Sequence, residues 1–209
     1  WDDGWDDHSS LWDFHSGFPN GFTTVSAEAA KFGSGIGVWM SPWGGYGGAK
    51  EERIASANNN KEGIVYESTA AGFSLAGRNY YKRFRDIALR MIRDFKVNLF
   101  KFDGVAGFSE TFVLCCIRTC SNGLLVQLSC YHFVAALLRY AEEMQAMLSL
   151  VRDLKKLGDD AFINLTTGTW PSPFWLLFCD SIWRGMTDLG LVGTGTHRQR
   201  WITYRDAVV

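Results

Sequence analysis

The sequence predicts an α/β fold on parallel strands, of the barrel kind in which helices ring a closed sheet. Three observations predict it. First, Val97-Asn98-Leu99-Phe100-Lys101-Phe102-Asp103-Gly104 reads as a strand. Strand side chains alternate between faces, so Val97, Leu99, Lys101 and Asp103 share one face, which begins apolar and ends on two charges. A solvated strand would spread its charges along the outer face. A barrel strand whose tip reaches the mouth, where such enzymes keep their chemistry, fits better. Second, Arg78 to Phe95 sets Tyr81, Phe84, Ile87, Met91, Ile92 and Phe95 at spacings of three and four, the stripe of an amphipathic helix. The strand follows it at once. Third, strand, polar-aromatic loop, helix and strand alternate along the chain. The octapeptide alone leaves a second reading open, a structural ion pair of Lys101 and Asp103 at a strand end.

The elements follow in order. Trp1-Asp2-Asp3-Gly4-Trp5-Asp6-Asp7 is acidic and tight-turned, and reads as the loop after a strand lying before residue 1. Its carboxylates could bind a hard cation, accept bonds from sugar hydroxyls, or form a solvated turn. The run lacks the spaced oxygen donors of a cation loop, so no metal is assigned. Ser16 to Gly21 is a turn, and a short helix is expected near Ser26 to Phe32. Gly35 to Pro42 reads as a strand stopped by Pro42. Trp43-Gly44-Gly45-Tyr46-Gly47-Gly48 is a mobile aromatic loop. It is not a GxGxxG motif, so dinucleotide binding is discounted and no cofactor is expected. Ile64 to Glu67 is a short strand candidate. A second helix is expected from Tyr140 to Leu157, with Tyr140, Met144, Met147, Val151 and Leu154 inward and Gly158 as its stop. Asp160 to Thr166 is the next strand and Thr167 to Pro173 its loop. A helical segment near Phe174 to Phe178 leads to a strand from Asp180 to Arg184, and a last helix starts near Arg198.

Residues 109–139 do not belong to this alternation. Glu110 and Arg118 are the formal charges between Ser109 and Leu138, and four of the five cysteines lie there. An insertion is expected, with a cysteine-rich apolar lid as its functional alternative. The five cysteines have neither metal-ligand spacing nor a disulfide framework. With 47% hydrophobic and 21% charged residues the chain is globular. Its net charge of −1 argues for neither nucleic acid nor an anionic membrane as partner. Aromatics reach 15% with nine Trp, several beside Gly, Pro or Asp. Loop tryptophans suit the flat C–H face of a sugar, and ordinary core tryptophan is the other reading. The four histidines form no triad with Ser or Cys. Asn164-Leu165-Thr166 fits a glycosylation sequon but lies in a predicted strand, and is read as packed.

Four stretches then combine: Trp1-Asp2-Asp3-Gly4-Trp5, Phe18-Pro19-Asn20-Gly21, Gly37-Val38-Trp39-Met40-Ser41-Pro42 and Phe100-Lys101-Phe102-Asp103. In this order they resemble the signature of the α-galactosidases and their relatives, glycoside hydrolase families 36 and 27. The resemblance implies a (β/α)8 barrel and retaining hydrolysis of α-linked galactosides, so the expected partner is an oligosaccharide or galactoside substrate. It implies Asp103 as nucleophile and Lys101 as a contact to sugar hydroxyls. Asp2 and Asp3 would hold hydroxyls on the far side of the ring, with Trp39, Trp183 and Arg184 lining the substrate site. The proton donor would stand at the sixth strand end. There Trp183-Arg184-Gly185-Met186-Thr187-Asp188 matches the family's Trp-x-Ser-Asp pattern inexactly, so Asp188 is the first candidate and Asp180 the second. The loop Thr167 to Pro173 also lacks the family 36 cysteine-glycine motif, which marks a divergent branch.

The chemistry is consistent with these residue types. Retaining hydrolysis needs two carboxyl groups about 5 Å apart, one ionised and one protonated. Lys101 beside Asp103 would favour the ionised form, and an unpaired carboxyl near Trp183 and Met186 would keep its proton. A full barrel takes about 250 residues, and the chain has 209. The expectation is therefore one partial glycoside hydrolase barrel domain over residues 1–209, carrying about strands one to six and leaving sheet edges open. The competing reading is a non-catalytic carbohydrate-binding remnant of the barrel. A third, Schiff-base chemistry at Lys101, is disfavoured because Asp103 would keep the amine protonated.

Overall fold

The computed structural model describes residues 1–105, 123–166, 173–183 and 195–200, with the backbone alone for 123–136. Its centre is a four-stranded parallel sheet of Ile36–Met40, Val97–Phe102, Phe162–Leu165 and Ser181–Ile182, in that order. The preceding elements are β1 (Asp6–Asp7), β2 (Asp13–Phe14) and helix α1 (Thr23–Ala30), and the first sheet strand is β3 (Ile36–Met40). Helix α2 (Gly47–Asn58), the small hairpin β4 (Ser68–Thr69) and β5 (Gly72–Phe73), and helix α3 (Arg78–Phe95) lead into β6 (Val97–Phe102). Helix α4 (Gly123–Leu157) precedes β7 (Phe162–Leu165), and a 3-10 turn at Pro173–Leu177 precedes β8 (Ser181–Ile182). Trp1 extends the sheet beyond β3. Its terminal ammonium donates to the Gly37 carbonyl at 2.7 Å, and its carbonyl accepts from the Trp39 amide at 2.8 Å. That is the bonding of a parallel neighbour.

Period-two alternation fixes what each face carries. Phe100, Phe102, Val38, Met40, Ile163 and Leu165 are buried, and helix α3 lies on this side, with Phe84 6.0 Å from Phe102 between ring centres. The opposite face runs in rungs. Gly37, Leu99 and Phe162 share one; Trp39, Lys101, Asn164 and Ser181 share the next. Leu99 is 39% exposed and Phe162 42%. Purely parallel sheets are normally covered on both faces. Among the described residues this sheet is covered by helices on one face and is not closed into a barrel.

Several expected elements moved. Ile64–Glu67 is not a strand, and β3 pairs directly with β6. Side chains take its backbone groups instead: Asn60 accepts from the Ile64 amide and donates to its carbonyl, and Asn79 donates to the Val65 carbonyl. Glu67 accepts from the Asn79 and Tyr80 amides at the start of α3, a cap for otherwise orphaned donors. Helix α2 was not expected, because its buried residues are Arg53 and Ala57 and it has no apolar stripe. Helix α1 begins three residues before the expected Ser26. Helix α3 matches its expected bounds, with Tyr80 fully buried and Tyr81 half-buried. Helix α4 runs back to Gly123, so the backbone of residues 123–139 is helical, while 109–122 lie outside the described residues. Residues 197–200 are helical, and the rest of the expected last helix lies outside the description. No described helix is long and apolar enough to cross a membrane.

Candidate functional site

The site gathers at the C-terminal ends of the parallel strands. Asp103 follows β6 directly and is locked in register by its amide, which donates to the Met40 carbonyl at 3.0 Å. Among the described residues, three neutral donors converge on its carboxylate. Trp39 Nε1, from β3, donates to Oδ2 at 3.2 Å. Tyr46 Oη donates to Oδ1 at 2.8 Å, and Thr166 Oγ1, at the end of β7, donates to Oδ1 at 2.7 Å. An ionised carboxylate only accepts hydrogen bonds, so this donor set suits the charged form. Thr166 is itself fixed, since its amide donates to the Phe102 carbonyl at 3.0 Å and leaves the hydroxyl proton for Asp103.

Lys101 shares the face of Asp103, but its ammonium pairs with Asp2, with Nζ 3.4 Å from Oδ2. Residues two apart on a strand are separated by about 7 Å, and the acidic loop brings Asp2 closer. Lys101 was expected to favour the ionised form of Asp103 from two residues away, and the ion pair seen for it is with Asp2. Lys101 Nζ also lies 5.7 Å from the Trp183 ring centre. Asp2, Lys101, Trp183, Trp39 and Asp103 thus form one cluster.

Asp3 lies at its rim, in a second charged cluster built around Arg53. The Arg53 side chain is fully buried. Its Nε and Nη2 donate to the two oxygens of buried Asp6 at 2.8 and 2.7 Å, a bidentate pair. Nη2 also donates to Asp3 Oδ1 at 2.8 Å, and Nη1 to the Gly44 carbonyl at 2.8 Å. The guanidinium carbon stacks 4.4 Å from the Trp12 ring centre. Burial works against the Arg53 charge, but Asp6 and Asp3 more than offset it and raise its pKa. Ligand atoms of Asp3, Asp6 and His8 lie within 4.8 Å of one another. Arg53 already occupies both of these carboxylates, and its positive charge repels a cation. Asp7, also in the acidic run, caps the turn at His8–Ser10; its bonds from Ser9 hold its carboxyl below the usual range.

Asp180, the second candidate for the proton donor, lies elsewhere. Its backbone is level with Ile163, three residues before Thr166. Its carboxylate takes the Lys155 ammonium and the Ile163 amide, each at 2.7 Å. Burial pushes this carboxyl up, yet Lys155 and the amide outweigh it and hold it below the usual range. A group so held is a poor proton donor at neutral pH. It is also about 10 Å along the strands from the level of Asp103. Asp188 and Arg184 lie outside the described residues. Of the loop tryptophans, Trp5 and Trp12 are core residues, 0% and 1% exposed. The sequon is packed as expected: Asn164 donates to Ser181 and Thr166 is buried.

Tyr46 and Thr166 at Asp103, and Arg53 behind the acidic loop, were missed by the sequence reading. Thr166 could have been found from strand parity at the end of β7. Arg53 had no such signal, because a lone arginine in a polar helix reads as solvated.

No family model and no curated protein matches this sequence. The fold, however, has solved counterparts. The α-galactosidase from Lactobacillus brevis superposes with a TM-score of 0.53 at 16% identity, over 99% of this chain and 27% of that protein. A variant of the GH36 α-galactosidase AgaA from Geobacillus stearothermophilus, solved with stachyose, gives 0.53 at 12% identity, over 100% of this chain and 28% of that one. The likeness is one of fold, and the chain spans little more than a quarter of either protein.

Proposed function

We propose that this chain is part of a retaining glycoside hydrolase acting on α-galactoside-type substrates, with Asp103 as nucleophile. The observation that carries the reading is the Asp103 carboxylate at the C-terminal end of a central parallel strand, gripped by donors from β3, β7 and the loop before α2. A nucleophilic carboxylate must be ionised and held in one orientation, and three converging donors supply both. The fold likeness to α-galactosidases, one of them solved with stachyose, agrees with it. The larger architecture is a (β/α)8 barrel, of which Trp1, β3, β6, β7 and β8 are consecutive members. The rungs of Leu99 and Phe162, then Lys101 and Asn164, are its interior layers. Asp2, Asp3 and Lys101 are the polar groups for sugar hydroxyls, Trp183 is an aromatic wall, and Trp39, whose ring is buried, lines the site through its bond to Asp103. Asp188 is the proton donor in this reading, because Asp180 is committed to Lys155.

A carbohydrate-binding remnant is the second reading, favoured by that commitment of Asp180. Turnover of an aryl α-galactoside separates the two. Asp103→Asn is expected to abolish turnover while leaving galactoside binding measurable by calorimetry. Unchanged turnover in Asp103→Asn would remove Asp103 from the nucleophile role. Binding without turnover in the unmodified chain would favour the remnant.

A further inference from the structure

Among the described residues, Tyr46 is the donor to Asp103 that comes from a loop and is substantially exposed. It is 45% exposed, whereas Trp39 and Thr166 are 3% and 2% exposed. Its ring meets Trp43 edge-on at 6.1 Å. Gly44, Gly45 and Gly47 flank it with φ of 92°, 95° and 51°, backbone states that favour glycine. The loop is anchored behind Tyr46 by the Arg53 bond to the Gly44 carbonyl. The hydroxyl therefore stands at Asp103 on a backbone that glycine permits and Arg53 fixes at one end.

From this geometry we infer that Tyr46 is a positioning residue for Asp103, holding the carboxylate ionised and oriented through the Oη–Oδ1 bond. The inference rests on the proposed role of Asp103 and adds a residue outside the motifs that suggested it. Trp39 and Thr166 supply the fixed part of the grip, and Tyr46 the adjustable part. The charged groups facing Asp103 among the described residues are Lys101, from its own strand, and Asp2, paired to it. The neighbouring strands β3 and β7 present Trp39 and Thr166, which are neutral.

Tyr46→Phe tests it, since it keeps the ring beside Trp43 and removes the hydroxyl alone. The direct readout is the side-chain carboxyl carbon of Asp103, followed by NMR in the full chain labelled at aspartate. A hydrogen bond to a charged group stabilises the charged form, so its loss should raise the Asp103 pKa by about one unit. With an aryl α-galactoside, the acid limb of kcat/KM should move upward by the same amount and the alkaline limb should stay. An Asp103 titration that moves by less than about 0.3 units in folded Tyr46→Phe overturns the inference. The NMR readout needs no turnover. Activity surviving in Asp103→Asn would therefore remove Asp103 from the nucleophile role while the titration still decided whether Tyr46 holds Asp103.

Discussion

Replacing Arg53 by methionine should cost the protein about 4 kcal/mol of stability. Asp6 and Arg53 have fully buried side chains and face each other through two hydrogen bonds. Removing one partner of such a pair leaves the other charge buried and unpaired, a loss of about 3–5 kcal/mol. The stacking on Trp12 adds about 1–2 kcal/mol to what is lost. The Asp3 bond adds little, because that carboxylate is 40% exposed and water can replace the arginine. Methionine returns part of the loss by filling the apolar slot against Trp12. The net is large against a total stability of about 5–15 kcal/mol for a domain. Urea unfolding followed by tryptophan fluorescence measures it. With a slope of about 2 kcal/mol per molar, the midpoint should fall by about 2 M. A second variant fixes the cause. Arg53→Met combined with Asp6→Leu leaves no buried charge, and swapping a buried pair for apolar residues is often close to neutral. The double variant should therefore recover most of what the single one lost. A single variant that loses less than about 1 kcal/mol, or a double variant worse than the single, would refute the assignment of Arg53 as the buried counter-charge of Asp6.

Gly104 and Asp180 offer two further tests. Gly104 has φ of 89°, and a Cβ there would meet Trp43 Cδ2 at 2.5 Å. Gly104→Ala should lose about 1–3 kcal/mol in urea unfolding, and wild-type stability would show that the loop after β6 relaxes freely. Asp180 is held below the usual carboxyl range, so the folded protein takes up its proton less readily than the unfolded chain. Its stabilising effect is complete above the ordinary value near pH 4 and fades as pH falls through the lower folded value. The stability gap between wild type and Asp180→Asn, measured by urea midpoint from pH 6 to pH 3, should close on the acid side. A gap that stays constant with pH would mean that Lys155 and the Ile163 amide gain nothing from the Asp180 charge.

Period and turn chemistry made the frame legible in the sequence. The stripe of Phe84, Ile87, Met91 and Phe95 marked α3, and the alternation from Val97 to Asp103 marked β6 and put Lys101 and Asp103 on one face. Parallel strands separated by helices followed from the order of those patterns. Local pattern failed where a segment's partner is distant and polar. Ile64–Glu67 has strand-forming residues, but Asn60 and Asn79 took its backbone groups. Helix α2 turns a buried arginine inward, and hydrophobic periodicity cannot register a charge that is neutralised by Asp6, 47 residues away. The site divides in the same way. Strand parity set Asp103 and Lys101 on one face of one strand, whereas the pairing of β3 with β6 that brings Trp39 beside them was decided by the fold, since a strand at Ile64–Glu67 was expected between them. The side chains that hold Asp103 were decided by tertiary structure, because Tyr46, Trp39 and Thr166 reach it across 57, 64 and 63 residues of chain. So was the pairing of Lys101 with Asp2, 99 residues apart. Hydrogen bonds and ion pairs act over a few ångströms of space, and only the folded sheet brings those strand ends within that reach.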